Sequence, residues 1–361
     1  MTQDGIYDMA GNVREWTQNP DGEARYILGG GWNDPEYAFN DAVTSPAFDR
    51  SAENGIRLVK YTDETNLAAA NAPIEKLFRD YYAEQPVSDE VFEVYRQMYD
   101  YDDIPLNVVA IESVENDIFI RERIELDAAY NDERLTVFVF LPTGSTASPP
   151  YQTVVYFPGS NDIYKRSYED LQIRRINFIL RSGRALVYPV YKGTYERGGD
   201  LRSDLQDTSN LYRDHVISWS QDIGRAIDYL ETRDDIDTKR LAYLGFSWGG
   251  ALGPVMTAIE SRFKAGVYVV GGLMMQDVQP MADPFNFLPR VTIPIFMFNG
   301  RYDSFFPLDT SIKPFYENLG SPDADKKLIV TDSNHFVAAY NANQLISETL
   351  DWLDKYLGPV E

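Results

Sequence analysis

Leu241-Ala242-Tyr243-Leu244-Gly245-Phe246-Ser247-Trp248-Gly249-Gly250 decides how this chain is read. An apolar run of strand character meets a serine flanked by glycines, and a small-residue stretch able to start a helix follows. Gly-x-Ser-x-Gly between strand and helix puts the serine on a tight turn in a sparsely allowed backbone region, with its Oγ projecting above a sheet. Glycine is required at 245 and 249 because a Cβ at either place would collide with the neighbouring strand or helix. The motif alone is short enough to arise by chance. Its strand–turn–helix setting gives it weight.

The bulk numbers bound what surrounds this serine. With 361 residues, 44% of them hydrophobic, the chain can build one large domain plus something smaller. Against 33 Lys and Arg stand 56 Asp and Glu, a net charge of −23. So acidic a surface repels phosphate backbones and anionic lipids, so neither a nucleic-acid nor a membrane partner is expected. The absence of cysteine excludes disulfides, zinc–thiolate sites and cysteine nucleophiles. The first twenty residues are polar, without the apolar core of a signal peptide. No run of about twenty apolar residues suggests a membrane span. The expectation is a cytoplasmic protein, or an internal piece of a larger one.

Three zones follow along the chain. Residues 1–60 are rich in Gly, Asn, Asp and Trp, with short strand-like pieces such as Arg25-Tyr26-Ile27-Leu28. Residues 61–104 read as a helical connector. Asn71-Ala72-Pro73 opens one helical stretch, and Ser88-Asp89-Glu90 caps another that runs into Val91-Phe92-Glu93-Val94-Tyr95. Residues 105–361 form the main domain. Ile118 to Leu126 and Leu135 to Leu141, separated by Asn131-Asp132-Glu133, predict an antiparallel hairpin. Buried strands are predicted at Val154–Phe157, Ala185–Tyr188, Leu241–Leu244, Ala265–Val270, Ile295–Phe298 and Lys327–Val330. Helices are predicted at Ser167–Arg181, Asp214–Leu230, Trp248–Ile259, Leu308–Leu319 and Ala342–Leu357. This alternation implies an α/β class with a mostly parallel central sheet and helices on both faces.

Residues from about 150 to 356 resemble the α/β-hydrolase superfamily, in its dienelactone-hydrolase and prolyl-oligopeptidase-like branch. The matching pieces are Phe157-Pro158-Gly159-Ser160, Tyr188-Pro189-Val190-Tyr191-Lys192-Gly193-Thr194, Asp222 to Leu230, Gly245 to Gly250, Asn299-Gly300-Arg301-Tyr302-Asp303 and His335-Phe336. Phe157-Pro158-Gly159 stands where many esterases carry His-Gly-Gly-Gly, which disfavours the hormone-sensitive-lipase type. The resemblance implies an order of serine, acid, then histidine. A serine hydroxyl needs a base, and the chain offers only His215 and His335. His335 follows the last predicted strand, where this fold delivers its base; His215 precedes the nucleophile and reads as a surface or capping histidine. Asp303, on a glycine turn after the strand Ile295–Phe298, is the expected acid, with Asp309 and Asp332 as rivals. The backbone N–H groups of Trp248 and Ser160 are the expected oxyanion donors.

The first sixty residues resemble something else. Asp4 to Trp16 is similar to the Gly-Asn-Val-x-Glu-Trp signature of formylglycine-generating-enzyme domains, Leu28-Gly29-Gly30-Gly31-Trp32 to their Arg-Gly-Gly-Ser-Trp, and Asn54-Gly55-Ile56-Arg57 to their closing Gly-Phe-Arg. The resemblance covers only the C-terminal part of such a domain, an irregular α+β remnant, and the family's catalytic cysteines are missing. It implies a structural calcium ion near Gly11, Val13 and Glu15, and a chain that is the tail of a longer multidomain bacterial protein. No other cofactor is expected. So short a remnant buries little core alone. Trp16 and Trp32 are therefore expected to pack on the main domain or on a second copy, giving a homodimer.

The segment 271–289 leaves room only for a small cap. Tyr191, Met274, Met275, Phe285, Phe287, Phe305 and Phe306 are the expected apolar pocket lining, although core packing accounts equally well for half of such residues. Lys192 and Arg301 are the isolated cations that could meet an anionic group. The functional expectation is a serine carboxylesterase acting on uncharged esters with a short to medium acyl group, aromatic or sugar-linked esters included. A prolyl-oligopeptidase-like peptidase shares the triad, but 104 residues are too few for its gating propeller. A non-catalytic docking or sensor module has no need of all three catalytic residues.

Overall fold

A computed structural model of the chain describes residues 7, 10–32, 34, 43–61, 63–73, 78–143, 147–171 and 173–360. Residues 4–6, 8 and 9 of the first N-terminal signature lie outside them.

At the N-terminus, β1 (Arg14–Asp21), β2 (Ala24–Leu28), β3 (Val43–Pro46) and β4 (Asn54–Gly55) form a sheet in the order β3-β2-β1-β4. The three quoted pieces meet there. The Gly11 N–H donates to Gly29 O at 2.6 Å, the Trp32 N–H to Asn12 O at 2.8 Å, and Arg57 clamps Glu15. Buried Arg14 pairs with Asp34. Trp32, expected to pack on the main domain or on a second copy, is 66% exposed in the single chain; Thr44, Arg14 and Ser51 make contacts with the main domain.

The connector holds α1 (Glu64–Asn71) and α2 (Asp89–Arg96). Asn71-Ala72-Pro73 therefore closes a helix rather than opening one, as a proline two residues past the last turn does. Residues 74–77 lie outside the described residues. From residue 78 onward the connector joins the main core: Tyr81, Phe92 and Tyr99 are buried in it. Phe92 and Tyr99 pack edge-on against Phe287 at 5.1 and 5.6 Å.

The main sheet contains β5 (Val109–Glu115), β6 (Phe119–Asp127), β7 (Arg134–Pro142), β8 (Tyr151–Phe157), β9 (Ala185–Pro189), β10 (Ile236–Phe246), β11 (Phe263–Val269), β12 (Ile295–Gly300) and β13 (Lys326–Thr331). Their order is β13-β12-β11-β10-β8-β9-β7-β6-β5. β5, β6, β7 and β9 pair antiparallel in series, and all pairings from β9 to β13 are parallel. The helices are α3 (Asn161–Tyr164), α4 (Phe178–Arg181), α5 (Asn210–Leu230), α6 (Trp248–Ile259), α7 (Pro284–Phe287), α8 (Lys313–Glu317), α9 (Val337–Tyr340) and α10 (Ala342–Leu357). The long helix expected at Ser167–Arg181 is absent. Tyr168 lies edge-on to Phe138 and its hydroxyl bonds Thr136 at 3.1 Å, so the start of the segment is held against β7, and among its described residues only a 3-10 turn at Tyr168–Asp170 and α4 are helical.

From β8 the chain moves to β9 on one side, then crosses to β10 on the other. At such a reversal the connections after adjacent strands diverge and leave a crevice at their carboxyl ends. The loops after β8 and β10 open there.

Candidate active site

Ser247 sits between β10 and α6 with φ 53° and ψ −107°. Its N–H donates to Val269 O at 2.8 Å, and its carbonyl accepts from Ala251 at the start of α6. Glycine at 245 and 249 is a steric necessity: a Cβ at 245 would meet the Gly249 carbonyl, and one at 249 the Phe157 carbonyl. β8, the elbow and α6 are thus stacked backbone on backbone.

Ser247 Oγ lies 2.8 Å from His335 Nε2, and His335 Nδ1 lies 2.7 Å from Asp303 Oδ2. A carboxylate can only accept, so Nδ1 carries the proton and the Nε2 lone pair faces the serine hydroxyl. Asp303 follows β12 and is held by its surroundings. Its Oδ1 accepts the N–H groups of Phe305 and Phe306 at 2.9 and 3.0 Å. The loop carrying His335, after β13, is tied to the same turn by the Arg301 and Tyr302 N–H groups, which donate to Thr331 O and Ser333 O. Phe305, Phe306 and Phe336 surround the imidazole at 4.7, 5.8 and 5.9 Å. The rival acids lie elsewhere, Asp332 exposed and paired with Arg301, Asp309 exposed and paired with Lys313.

Gly159 in the loop after β8 approaches the serine closely; a Cβ built there would lie 3.6 Å from Ser247 Cβ. The next residue, buried Ser160, precedes α3, and Trp248 is the first residue of α6. Neither backbone N–H donates to another group among the described residues. Trp248 is wedged edge-on between Phe157 and Trp219 at 4.9 and 4.7 Å, which fixes its backbone.

The expected pocket lining divides. Phe305 and Phe306 flank the imidazole, and Met275 is half-buried, its sulfur accepting the Arg79 N–H at 3.4 Å. Tyr191 and Phe287 are wholly buried. Tyr191 stacks on Phe157 at 4.0 Å and donates to Tyr156 O, so it belongs to the core. Phe285 packs on Tyr81 at 5.1 Å, and the Met274 carbonyl accepts the Tyr81 hydroxyl. The connector covers these two. Lys192 and Arg301 are engaged by Glu133 and Asp332. His215, read as a surface or capping residue, is buried inside α5, bonded to Leu211 O at 2.8 Å and set against Trp219.

Both Glu15 oxygens accept from Arg57, at 2.8 and 2.9 Å from its Nε. A guanidinium thus takes the charge a calcium ion would need, and the donor set as placed does not fit that ion. Among the described residues no cluster of three or more His, Asp or Glu could hold a metal, and no helix is long and apolar enough to cross a membrane.

A family described as PET hydrolase-like matches residues 207–359, the stretch that carries Ser247, Asp303 and His335. The chain resembles in structure an acetyl xylan esterase from Paenibacillus sp. R4, at 16% identity and a TM-score of 0.56, covering 74% of this chain and 94% of that one. Acetyl xylan esterase 1 from Thermoanaerobacterium sp. JW/SL YS485 gives 15% identity and a TM-score of 0.55 over 73% and 95%. This is the α/β-hydrolase fold. A cold-adapted esterase from an Arctic intertidal metagenomic library shares it at 15% identity and a TM-score of 0.52, over 70% and 99%. No curated protein matches the chain in sequence. Each of these structures is matched over nearly its whole length by about three quarters of this chain.

Sequence reasoning missed two features of the site's surroundings. Asp204, in the irregular stretch after β9, is half-buried and near Ser160. The N-terminal sheet abuts the turns that carry Asp303 and His335, through Thr44 on Tyr302 O and Arg14 over Phe336. No periodicity or motif marks either, because each depends on contacts between distant segments.

Proposed function

We propose that the chain is a serine carboxylesterase working through an acyl-enzyme. The carrying observation is the continuous relay from Ser247 Oγ through His335 to Asp303, with contacts of 2.8 and 2.7 Å. His335 takes the serine proton as Oγ attacks the ester carbonyl; Asp303 holds the ring and stabilises the imidazolium. The Ser160 and Trp248 N–H groups face the developing oxyanion, and Trp248 adds the favourable end of the α6 dipole. His335 then gives the proton to the departing alcohol, and water, activated by the same imidazole, releases the acid. Esterase is preferred to other acyl transfers because the similar folds above are described as esterases. Uncharged esters with short to medium acyl groups are preferred because Phe305 and Phe306 are apolar, and the nearby cations are already paired.

A fluorophosphonate probe with mass mapping tests the nucleophile, and p-nitrophenyl esters set against aminoacyl-p-nitroanilides test the reaction. Labelling at Ser247 with ester turnover is expected. Ser247→Ala should abolish both, and Asp303→Asn should lower kcat on the order of 10³-fold or more. No labelling at Ser247, or no turnover of any ester, contradicts the proposal.

A further inference from the structure

The Ser160 N–H donates to no group among the described residues. A donor left open for substrate has no bond of its own to fix its direction, so its neighbours must aim it. For Trp248 the indole wedged between Phe157 and Trp219 does this. Around Ser160 the turn closes on itself with two bonds: the Asp162 N–H donates to Gly159 O at 3.3 Å, and the Ile163 N–H to Ser160 O at 3.0 Å. The Asp162 side chain ties that turn to a neighbouring strand.

Asp162 is buried two residues past Ser160, and its carboxylate is shared between two donors. Oδ2 accepts the hydroxyl of Tyr188, on β9, and Oδ1 accepts Lys165 Nζ at 2.9 Å. Tyr188 is itself buried, edge-on to Tyr156 of β8 at 5.1 Å, so its hydroxyl is a fixed point on the sheet. That hydroxyl lies 3.4 Å from the hydroxyl of Tyr195, and Lys165 Nζ stands 5.7 Å from the Tyr195 ring centroid. Tyr195 is buried at φ 50°, a left-handed backbone that a bulky residue keeps only where its surroundings hold it. Burial, and then the Asp162 carboxylate, push the Tyr188 hydroxyl well above the ordinary tyrosine range, so it remains a donor.

Taking a carboxylate and an ammonium out of water gains little net stability. The geometry they fix gives the cluster a use. Gly159 passes so close to the nucleophile that a Cβ there would lie 3.6 Å from Ser247 Cβ. A small rotation of the turn would swing the Ser160 N–H away from a carbonyl under attack at Ser247. We propose that Asp162, held by the Tyr188 hydroxyl, is a positioning residue that aims the Ser160 N–H at the oxyanion. This rests on the esterase reading, with Ser160 as an oxyanion donor. Asp162 and Tyr188 act through the backbone of the turn and take no part in proton transfer.

The test measures kcat and KM of the full chain and its variants on a short-chain p-nitrophenyl ester, with inhibition by a trifluoromethyl ketone, whose adduct with the serine carries the oxyanion. Removing one oxyanion donor costs about 10²–10³-fold in kcat, and misaiming one costs less. Asp162→Ala is expected to lower kcat about tenfold with KM held within about twofold, and to weaken the ketone by a similar factor. Asp162→Asn keeps an oxygen for Tyr188 and should recover kcat to within about threefold. Tyr188→Phe keeps the ring and loses only the donor; it should shift kcat and the ketone together by about threefold or more, and it carries the test if Asp162→Ala does not fold. Ser160→Pro separates this route from any other. Ser160 has φ −61°, which proline adopts, and proline has no N–H to aim. In that background the Asp162 or Tyr188 change should cost less than about twofold more. An unchanged kcat would show that the turn aims Ser160 unaided. A rise in KM alone would make Asp162 a substrate-binding group, and an undiminished loss in the Ser160→Pro background would place its effect elsewhere. Each of these overturns the inference. A wild type inert to the ester and to the fluorophosphonate would instead sink the esterase reading; if it is active and labelled, failure counts against Asp162 alone.

Discussion

Ser247 has a backbone, φ 53° and ψ −107°, that an L-residue adopts only under constraint, at a cost of about 1–3 kcal/mol. The elbow therefore stores strain to lift Oγ toward His335. Ser247→Ala and Ser247→Gly both lose the hydroxyl, but only glycine relieves the strain. Its larger unfolded-state entropy takes back about 0.4–1 kcal/mol. Urea unfolding is expected to show the Gly variant more stable than the Ala variant by about 1 kcal/mol; an Ala variant of equal or greater stability would mean the turn is unstrained. His215 gives a second residue-level prediction. Burial holds its pKa below the ordinary histidine value, with Lys192 adding to this while the Leu211 carbonyl, Asp200 and Asp214 oppose. In the unfolded chain the ring titrates near ~6.5. As the pH falls through that value the unfolded state binds a proton that the folded state refuses, so stability is lost toward acid. Unfolding free energies at pH 7 and about pH 5.5 should therefore differ less in His215→Gln than in the wild type. Equal differences would deny the buried ring this role. That Ser247, His335 and Asp303 converge could be anticipated from the sequence because the chain has only two histidines and the resemblance implies a fixed order of serine, acid and histidine. The burial of His215 could not, since helical spacing alone does not reveal what Trp219 packs against.

At the scale of elements, the site depends on how closely α6 approaches the end of β8. The Gly249 N–H donates to Pro158 O at 3.0 Å, and a Cβ at 249 would press on the Phe157 carbonyl. Backbone cannot give way as a side-chain tip can. Gly249→Ala is expected to cost about 3 kcal/mol and to displace the loop carrying Ser160, so it should slow fluorophosphonate labelling well beyond what lost stability explains. A variant that melts and labels like the wild type would show that α6 and β8 can separate without consequence. The elements around this contact were legible because each is a long apolar run with a turn behind it: α6 and α10 occupy the predicted spans, and β8 through β13 lie on the predicted strands, each longer except that β11 ends one residue earlier. The segment from Ser167 to Arg181 was not, because Tyr168 bonding Thr136 across the sheet overrides its helical spacing. The pocket lining was misread for a related reason. Met and Phe in a cap segment look alike whether they face a ligand or a connector, and here Tyr81, Phe92 and Tyr99 arrive from far upstream to cover Phe285 and Phe287.

Over the whole molecule, the N-terminal sheet is joined to the main domain at one consequential place. Thr44 Oγ1 donates to Tyr302 O at 3.1 Å, the Arg14 guanidinium lies 5.3 Å from the Phe336 ring centroid, and Ser51 bonds Tyr340 at 3.3 Å. Tyr302 precedes Asp303 and Phe336 follows His335, so the small sheet braces the two turns that hold this pair. Composition separated residues 1–60 from the rest, but nothing in either segment announced that Thr44 and Tyr302, 258 positions apart, would touch. Bracing of this kind acts on geometry rather than on charge, and angstrom-scale loosening of a catalytic pair is costly to rate. A chain beginning at residue 61 is therefore expected to melt several degrees lower and to lose kcat several-fold while still taking the fluorophosphonate at Ser247. Its native mass, set against that of the full chain, tests at the same time whether the N-terminal segment holds two copies together. A truncated chain with the melting temperature, kcat and assembly state of the full one would show that the sheet merely rests on the hydrolase domain, and the triad would then owe its alignment to the bonds among residues 299–306 and 331–336 alone.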